Sequence, residues 1–342
     1  MSVPDLDRAP IAVAWETTRA CALRCVHCRA DAIPRRDPAE LTTGEGRALI
    51  DAIAGLGARV LVLTGGDPFM RPDVFELIAH GRAAGLHVGL SPSATARADR
   101  ESLARAVEAG AGTIHLSLDG AVAETHDAFR GVRGSWQRTI DAIRASVELG
   151  ARVQVATTAC RRNASELEAL PALLADLGVT VWSLFFLVPV GRGRFDDMLD
   201  APETERVLEW LAALATASPF QVRTICAPQF RRVLIERGVP LGSVYPAVST
   251  DGRGFCFVSH RGEVWPSGFL PLSAGNVREM PLVAIYRSAP LFVALRDPRR
   301  LGGRCGACPY ARLCGGSRAR AFAVTGDPFA EDPACPYRPA AA

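Results

Sequence analysis

The fold is decided by the stretch Ile11-Ala-Val-Ala-Trp-Glu-Thr-Thr-Arg-Ala-Cys21-Ala-Leu-Arg-Cys25-Val-His-Cys28. It begins with a β-rich run that is typical of a strand and continues directly into three closely spaced cysteines. Three such thiolates can hold one corner of an iron–sulfur cubane and leave its fourth iron without a protein ligand. A zinc site with His27 as fourth ligand, or a redox loop, is an alternative interpretation. Because His27 lies between two ligands, we expect its side chain to point elsewhere.

Up to about residue 190 the chain alternates short β-rich runs with longer amphipathic segments. The predicted strands are Ile11–Thr18, Arg59–Gly65, Leu86–Ser91, Thr113–Leu118, Val153–Thr158 and Val179–Val188. The predicted helices are Thr42–Leu56, Arg71–Ala84, Glu101–Ala109, Trp136–Leu149 and Ala164–Leu177, each followed by a glycine suited to a helix C-cap. Six strand–helix repeats predict an α/β fold with a parallel sheet, and chemistry collects at the carboxyl ends of such strands. Periodicity alone does not separate an open sheet from a partial barrel.

Beyond Gly193 the pattern changes. The elements predicted there are a helix at Pro202–Ala217, a short strand near Val222, a helix around Phe230–Arg237, and a hairpin over residues 254–268. From about Gly252 the chain is rich in Gly, Pro and Cys. We therefore predict a first domain over residues 1–200, a bridging segment over 201–251 and a small cysteine-rich domain over 252–342.

Composition narrows the possible functions. The net charge is +3 over 342 residues and no Lys/Arg tract is present, which argues against nucleic-acid binding. The N-terminal residues do not resemble a signal peptide, and no window reaches the about 18 uncharged apolar residues of a membrane span, so we expect a cytoplasmic protein. Seven of the ten cysteines fall in two groups. Such clustering indicates metal or redox chemistry rather than disulfides.

Cys-x3-Cys-x2-Cys after the first strand of a six-fold β/α pattern resembles the signature of the radical S-adenosylmethionine (SAM) superfamily. Members of that superfamily have a partial (β/α)6 TIM barrel. The resemblance implies that SAM chelates the open iron of a [4Fe–4S] cluster held by Cys21, Cys25 and Cys28. It further implies an external electron donor such as flavodoxin or ferredoxin. An electron from the cluster would cleave SAM to methionine and a 5′-deoxyadenosyl radical, which abstracts hydrogen from a small-molecule substrate.

Stretches at the strand ends resemble the superfamily's SAM-binding features. Gly65-Gly66-Asp67-Pro68 is similar to the "GGE" motif that meets the SAM amino group, with Asp67 in place of Glu; an ordinary turn is the alternative. A glycine pair lets the chain approach a ligand closely. The other residues implied by the resemblance are Ser117 and Asp119 on the ribose side, Arg130 at the SAM carboxylate, Ser91 and Ser93 in the pocket, and Leu187 and Val188 beside the adenine. Arg130 would suit a carboxylate because its fork binds bidentately, although a solvated arginine is the alternative. A buried strand end explains Leu187 and Val188 equally well.

The second cysteine group comprises Cys305, Cys308, Cys314 and Cys335, and a zinc ribbon is one interpretation of it. Beside a radical SAM core it resembles a SPASM/Twitch extension, which carries auxiliary [4Fe–4S] clusters. Of the inner-cluster cysteines of that pattern only Cys256 is present, because Ser267 and Arg318 stand at two other cysteine positions. The resemblance therefore implies a single auxiliary cluster with four cysteine ligands, which would carry electrons or brace the domain.

The substrate is left open by the residues. The block Cys314–Ala321 is similar to enzymes that decarboxylate or trim tetrapyrrole propionates, which favours oxidation or oxidative decarboxylation of a small metabolite. The alternatives are a maturase of ribosomal peptides, a redox-neutral elimination on a sugar or nucleoside, and a non-catalytic electron carrier. Only twenty residues precede Cys21, which we take to argue against an N-terminal leader-binding domain, although a separate peptide or leader-binding partner could supply recognition. Arg192 and Arg194 would suit a carboxylate or form a solvated loop, and His126 would line the pocket or cap a helix.

Overall fold

The computed structural model describes residues 5–244 and 249–339. Its strands are β1 (Ala12–Thr18), β2 (Val60–Gly65), β3 (His87–Leu90), β4 (Ala111–Ser117), β5 (Arg152–Ala159), β6 (Val181–Phe186), β7 (Gln221–Ile225), β8 (Phe255–Val258) and β9 (Val264–Trp265). They form one sheet in the order β7-β6-β5-β4-β3-β2-β1-β8-β9. All neighbouring pairs are parallel except β8 with β9. The predicted α/β fold with a parallel sheet is confirmed.

Thirteen α-helices occur within the described residues. They are α1 (Thr43–Leu56), α2 (Val74–Ala83), α3 (Arg100–Glu108), α4 (Ala123–Arg130), α5 (Ser135–Glu148), α6 (Leu170–Asp176), α7 (Ala201–Ala217), α8 (Phe230–Glu236), α9 (Leu241–Val244), α10 (Leu282–Ser288), α11 (Pro290–Arg296), α12 (Gly303–Gly306) and α13 (Arg318–Thr325). The segment predicted as one helix at Ala164–Leu177 is a 3-10 helix, Ala164–Ala169, followed by α6. Pro171 lies in the first turn of α6, where its missing N–H is tolerated but could not continue a preceding helix.

The two faces of the sheet differ in chemistry. Trp15 is fully buried on the outer face, where its ring packs so closely on Gly46 of α1 that a Cβ there would lie 2.6 Å from it. Because side chains alternate along a strand, the neighbouring Glu16 points to the opposite, inner face. His115 shares that inner face, since its Nε2 would lie 2.7 Å from a Cβ on Gly89 of β3. The outer face thus supplies the hydrophobic core and the inner face supplies polar groups.

The C-terminal part of the chain completes the sheet. β8 pairs with β1 in parallel, with Ala12 opposite Phe255 and Val13 opposite Cys256. The predicted hairpin is present as the antiparallel pair β8–β9. β7 likewise extends the sheet beyond β6, so hydrogen-bonded pairs cross the domain boundaries predicted at residues 200 and 252. No helix of the described residues is both long and apolar enough to span a bilayer.

Candidate active site

The first cysteine loop is fixed by backbone bonds to two other elements. Its N–H groups at Arg24 and Val26 donate to carbonyls at the end of α4, at 3.0 and 2.9 Å. The turn after β2 holds it from the other side, where the N–H of Asp67 donates to the carbonyl of Ala20 at 2.7 Å. The loop therefore lies at the carboxyl ends of the strands, as the parallel sheet predicts.

Each of the three thiols of this loop has one N–H donor close to its sulfur. The N–H of Leu23 lies 3.4 Å from Sγ of Cys21, that of Ala32 lies 3.5 Å from Sγ of Cys28, and Nη1 of Arg130 lies 3.6 Å from Sγ of Cys25. Such donors suit the anionic sulfurs of an iron–sulfur cluster. Among residues 5–244 and 249–339 no three His, Cys, Asp or Glu side chains converge to hold a single metal ion. A cubane does not require such convergence, because each thiolate binds a different iron.

The Gly65–Gly66 pair is required by the protein's own backbone. A Cβ on Gly65 would lie 2.3 Å from the carbonyl oxygen of Thr18, and one on Gly66 would lie 2.4 Å from that of Ala20. Gly65 also has a φ of 155°, which side chains rarely adopt. The pair thus brings the turn after β2 against the cysteine loop, a role that we did not predict for it.

Asp67 joins the ends of β2 and β3. Its buried carboxylate accepts from the N–H groups of Phe69 and Ser93, at 3.2 and 3.3 Å, and from Oγ1 of Thr95 at 2.9 Å. Burial raises the pKa of Asp67 to about 6 despite these bonds. The Ser93 hydroxyl donates to the carbonyl of Gly66 at 2.7 Å and lies 3.4 Å from Sγ of Cys21. Three predicted SAM-binding residues are thereby brought to the first cysteine.

Asp119 and Arg130 form a buried ion pair behind the loop. Nη2 of Arg130 lies 2.5 Å from Oδ2 of Asp119, while Oδ1 accepts from the N–H of Thr158 at 2.8 Å. Burial alone would raise the pKa of Asp119, but Arg130 and His27 lower it below its ordinary value. The His27 ring faces Asp119 at 3.9 Å, and burial lowers the pKa of His27 to about 4. Nε of Arg130 is buried without a hydrogen-bond partner among the described residues.

The remaining predicted SAM-binding residues lie near strand ends. Ser91 follows β3 and its N–H donates to the carbonyl of Leu63 at 2.9 Å, while Ser117 is the last residue of β4. Leu187 and Val188 are buried in two small apolar clusters, Leu187 with Phe129. His126 is fully buried and its Nδ1 accepts from the N–H of Asp119 at 3.1 Å, so it supports that residue.

A polar cavity of about 300 Å³ opens beside the loop, between the turn after β6 and the β8–β9 hairpin. Its lining includes Glu16, Arg29, His260 and Trp265. Oε1 of Glu16 lies 3.2 Å from Nη1 of Arg29, and Oε2 lies 2.9 Å from Nδ1 of His260. The Arg29 guanidinium also lies 4.5 Å from the centre of the Phe257 ring. Sequence reasoning missed these residues, although a carboxylate within the buried run of β1 was a usable signal.

Arg192 and Arg194, the two arginines predicted as possible ligands of a substrate carboxylate, follow β6. Arg192 is partly buried, with Nη1 4.0 Å from Oδ1 of Asp31, whereas Arg194 is exposed. The exposure of Arg194 agrees with the alternative interpretation, in which this arginine belongs to a solvated loop.

The four cysteines of the second group line one common cavity. The N–H of Asp332 lies 3.4 Å from Sγ of Cys305, and that of Gly316 lies 3.4 Å from Sγ of Cys314. Burial raises the pKa of the Cys314 thiol to about 12. A shared cavity and N–H donors to sulfur fit a metal–thiolate cluster.

The three other cysteines, Cys160, Cys226 and Cys256, pack in hydrophobic clusters. Cys256 is fully buried in the main hydrophobic cluster, on the face of β8 opposite the polar cavity, and burial raises its pKa to about 12. Burial likewise raises the pKa of Cys160 to about 11, in the cluster with Phe129 and Leu187. Cys226 packs beside Val188 and Leu270. These surroundings suit small hydrophobic residues.

Comparisons with known proteins agree with this geometry. Residues 15–200 match the model of the radical SAM superfamily. The AdoMet-dependent heme synthase of Methanosarcina barkeri is 41% identical over 98% of both chains, and the mycofactocin maturase MftC of Mycobacterium ulcerans is 31% identical over 96% of this chain and 88% of that one. The structure of Streptococcus suis SuiB bound to precursor peptide SuiA covers 96% of this chain and 76% of that one, at 16% identity and a TM-score of 0.76, and shares the fold.

These matches confirm the predicted partial barrel, the [4Fe–4S] cluster and SAM as cofactors. The chain belongs to the radical SAM superfamily.

Proposed function

We propose that this enzyme makes heme by oxidative decarboxylation of propionate side chains on an iron porphyrin. The observation that carries the proposal is the 41% identity with a heme synthase over 98% of both chains, against 31% with a peptide maturase. Each propionate would lose one hydrogen atom to the 5′-deoxyadenosyl radical, then CO2 and one electron, and become a vinyl group. Such a reaction needs one electron to start it and an acceptor to finish it.

The first cysteine loop would hold the SAM-binding cluster through Cys21, Cys25 and Cys28. We place SAM along the ends of β2, β3 and β4, where Gly65, Gly66 and Asp67 would contact it through their backbone because the Asp67 carboxylate already has three donors. The other proposed SAM contacts are Ser91, Ser93, Ser117, Asp119, Leu187 and Val188. Arg130 would meet the SAM carboxylate through its unpartnered Nε while its Nη2 stays with Asp119.

The polar cavity suits a flat, aromatic, carboxylate-bearing substrate. Trp265 offers an aromatic wall, and arginine side chains in the lining could bind carboxylates through their planar forks. Arg261 already pairs with Asp37 through Nε and Nη2, so Arg19 and Arg29 are the better candidates. Arg29 is held in place by Glu16 on one side and the Phe257 ring on the other. The cavity adjoins the cysteine loop, which would bring a bound propionate close to the SAM site.

The second group would supply the electron acceptor. We propose that Cys305, Cys308, Cys314 and Cys335 hold one auxiliary [4Fe–4S] cluster, which takes the electron left on the substrate after loss of CO2. A cluster with full cysteine ligation can do so without a change of ligands. An external donor such as flavodoxin or ferredoxin would supply the electron that cleaves SAM.

The test is an anaerobic assay that contains SAM, dithionite and iron coproporphyrin. The ring of this porphyrin carries propionate side chains. We expect vinyl products that have lost CO2, with one SAM consumed per converted side chain, measured by liquid chromatography and mass spectrometry. Deuterium on the propionate carbon next to the ring should appear in 5′-deoxyadenosine. The Cys25→Ala variant is the matched control and should form no vinyl product.

Two other outcomes would contradict the proposal. Regeneration of SAM, or return of the deuterium to the product, would indicate a redox-neutral elimination. Failure with the porphyrin together with turnover of a ribosomal precursor peptide would favour a maturase, which the 31% identity with MftC makes the second candidate.

A further inference from the structure

Arg318 stands at one of the positions where the SPASM/Twitch pattern, which this part of the chain resembles, has a further cysteine. It is the first residue of α13 and is 4% exposed. Its Nη1 donates to the carbonyls of Pro328 and Ala330, at 2.9 and 2.6 Å, and its Nε lies 3.3 Å from that of Gly316. Nη2 points the other way and lies 3.6 Å from Sγ of Cys305. The guanidinium thus contacts backbone carbonyls through Nη1 and a proposed cluster ligand through Nη2.

No carboxylate oxygen lies within 4.0 Å of this guanidinium among residues 5–244 and 249–339, although the buried carboxylates of Asp251 and Asp332 are near enough to interact with its charge. Arg320, two residues later and equally buried, shows the contrast, because its Nε lies 2.9 Å from Oδ1 of Asp332. A buried charge without an opposite charge is costly. Four thiolates around a cluster would add negative charge in direct contact with Arg318, which neither Asp251 nor Asp332 provides.

Gly316 makes the contact between guanidinium and sulfur possible. A Cβ on Gly316 would lie 2.6 Å from Nη2 of Arg318 and 3.0 Å from Sγ of Cys305. Its φ of 68° is also unfavourable for other residues. The glycine therefore leaves room for Arg318 to reach the thiol directly.

We propose that Arg318 tunes the reduction potential of the auxiliary cluster by donating an N–H···S bond to Cys305 and by placing a fixed positive charge beside it. One electron that enters the cluster adds one negative charge, which a nearby cation stabilises. Arg318 therefore raises the potential and makes the cluster a better acceptor. The inference rests on the proposed ligand set and not on the identity of the substrate.

The experiment is an EPR-monitored redox titration of the reconstituted holoenzyme with SAM and without substrate. Because SAM binds only the open iron, it changes the signal of the first cluster and so separates the two. In Arg318→Met we expect the ratio of reduced to oxidised auxiliary cluster at a given potential to fall about tenfold, which is a midpoint about 59 mV lower. The midpoint of the first cluster should not move.

Two further variants make the result specific. Arg312→Met removes the same charge from an exposed position near Cys314, where water screens it, and should leave the midpoint close to that of the wild type. Arg318→Lys keeps the charge but loses the planar fork, so its midpoint should lie between those of wild type and Arg318→Met.

An unchanged midpoint in an iron-replete Arg318→Met protein would overturn the proposal. If that variant loses iron, Arg318→Lys decides, and an unchanged midpoint there would be equally damaging. Loss of the auxiliary iron in both variants would also overturn it, because Arg318 would then be needed to assemble the site. Failure of the decarboxylation assay would leave these results untouched, since no substrate is present.

Discussion

The two cysteine groups stand on different kinds of scaffold. The loop with Cys21, Cys25 and Cys28 follows β1, an interior strand of the sheet, and backbone bonds connect it to the turn after β2 and to α4. The group at 305–335 lies among turns, the four-residue helix α12 and the eight-residue helix α13. A parallel sheet can position a loop that holds an open metal site, whereas a loop-rich region depends more on its metal for stability.

The two cysteine groups also differ in how the arginine next to each group is paired. Arg130 reaches Cys25 but is shared with the buried carboxylate of Asp119. Arg318 lies 3.6 Å from Sγ of Cys305 and has no carboxylate oxygen within 4.0 Å among the described residues, although Asp332 is near enough to interact with its charge. An arginine paired with a carboxylate would suit the proposed SAM site, and an arginine in contact with a thiol but with no carboxylate would suit a cluster proposed to accept an electron.

The largest expected effect comes from removing the ligands of the first group. The triple variant Cys21→Ala, Cys25→Ala, Cys28→Ala should lose SAM cleavage completely, and its iron should fall from about eight to about four per chain. Iron and sulfide analysis after anaerobic reconstitution, with assay of 5′-deoxyadenosine, would measure both. Stoichiometric zinc with about four irons in the wild-type protein would contradict the assignment of the second group.

Cys308→Ala should affect both the auxiliary cluster and the folding of the second cysteine group. We expect loss of the auxiliary cluster and of soluble yield, because closure of that region depends on metal. Cys256→Ala is the control, since this thiol lies in the main core, and it should keep its full iron content. Iron loss in the Cys256 variant would show that the ligands are assigned wrongly.

A matched pair of glycine variants would separate the two groups by sterics alone. Gly66→Ala brings a Cβ to 2.4 Å from the Ala20 carbonyl oxygen and should displace the first loop, which lowers only the SAM-responsive EPR signal. Gly316→Ala crowds Arg318 and Cys305 and should affect only the auxiliary signal. Loss of both signals in either variant would mean that the two regions are not independent.

The smallest effect is expected at Arg130. Arg130→Ala should weaken SAM binding by about 1.5–3 kcal/mol, because a charge-assisted hydrogen bond is lost, while both clusters remain. Equilibrium titration with SAM would measure it, with Arg133→Ala at a nearby exposed position as the control. The variant also leaves Asp119 buried and unpaired, so thermal unfolding should be compared with Asp119→Asn. Unchanged SAM affinity would restrict Arg130 to the ion pair with Asp119.

Strands were predicted better than helices, for a physical reason. The six predicted barrel strands are all present, because each short apolar run is bounded by turn residues that mark its ends. Helix α4 was not predicted, since only His126 and Phe129 are buried in it and no apolar stripe forms. The helix predicted to start at Arg71 begins at Val74, after Pro72.

The sequence by itself determined the cysteine spacing, the succession of strands along the chain and the position of the first cysteine loop directly after β1. These are local properties, because ligand spacing and hydrophobic period are set by neighbours along the chain. Only the tertiary structure decided that Glu16 meets His260, 244 residues away, and that Arg318 lies against Cys305. Those contacts depend on β8 pairing with β1 and on a glycine that leaves space for a guanidinium, and no local pattern encodes either.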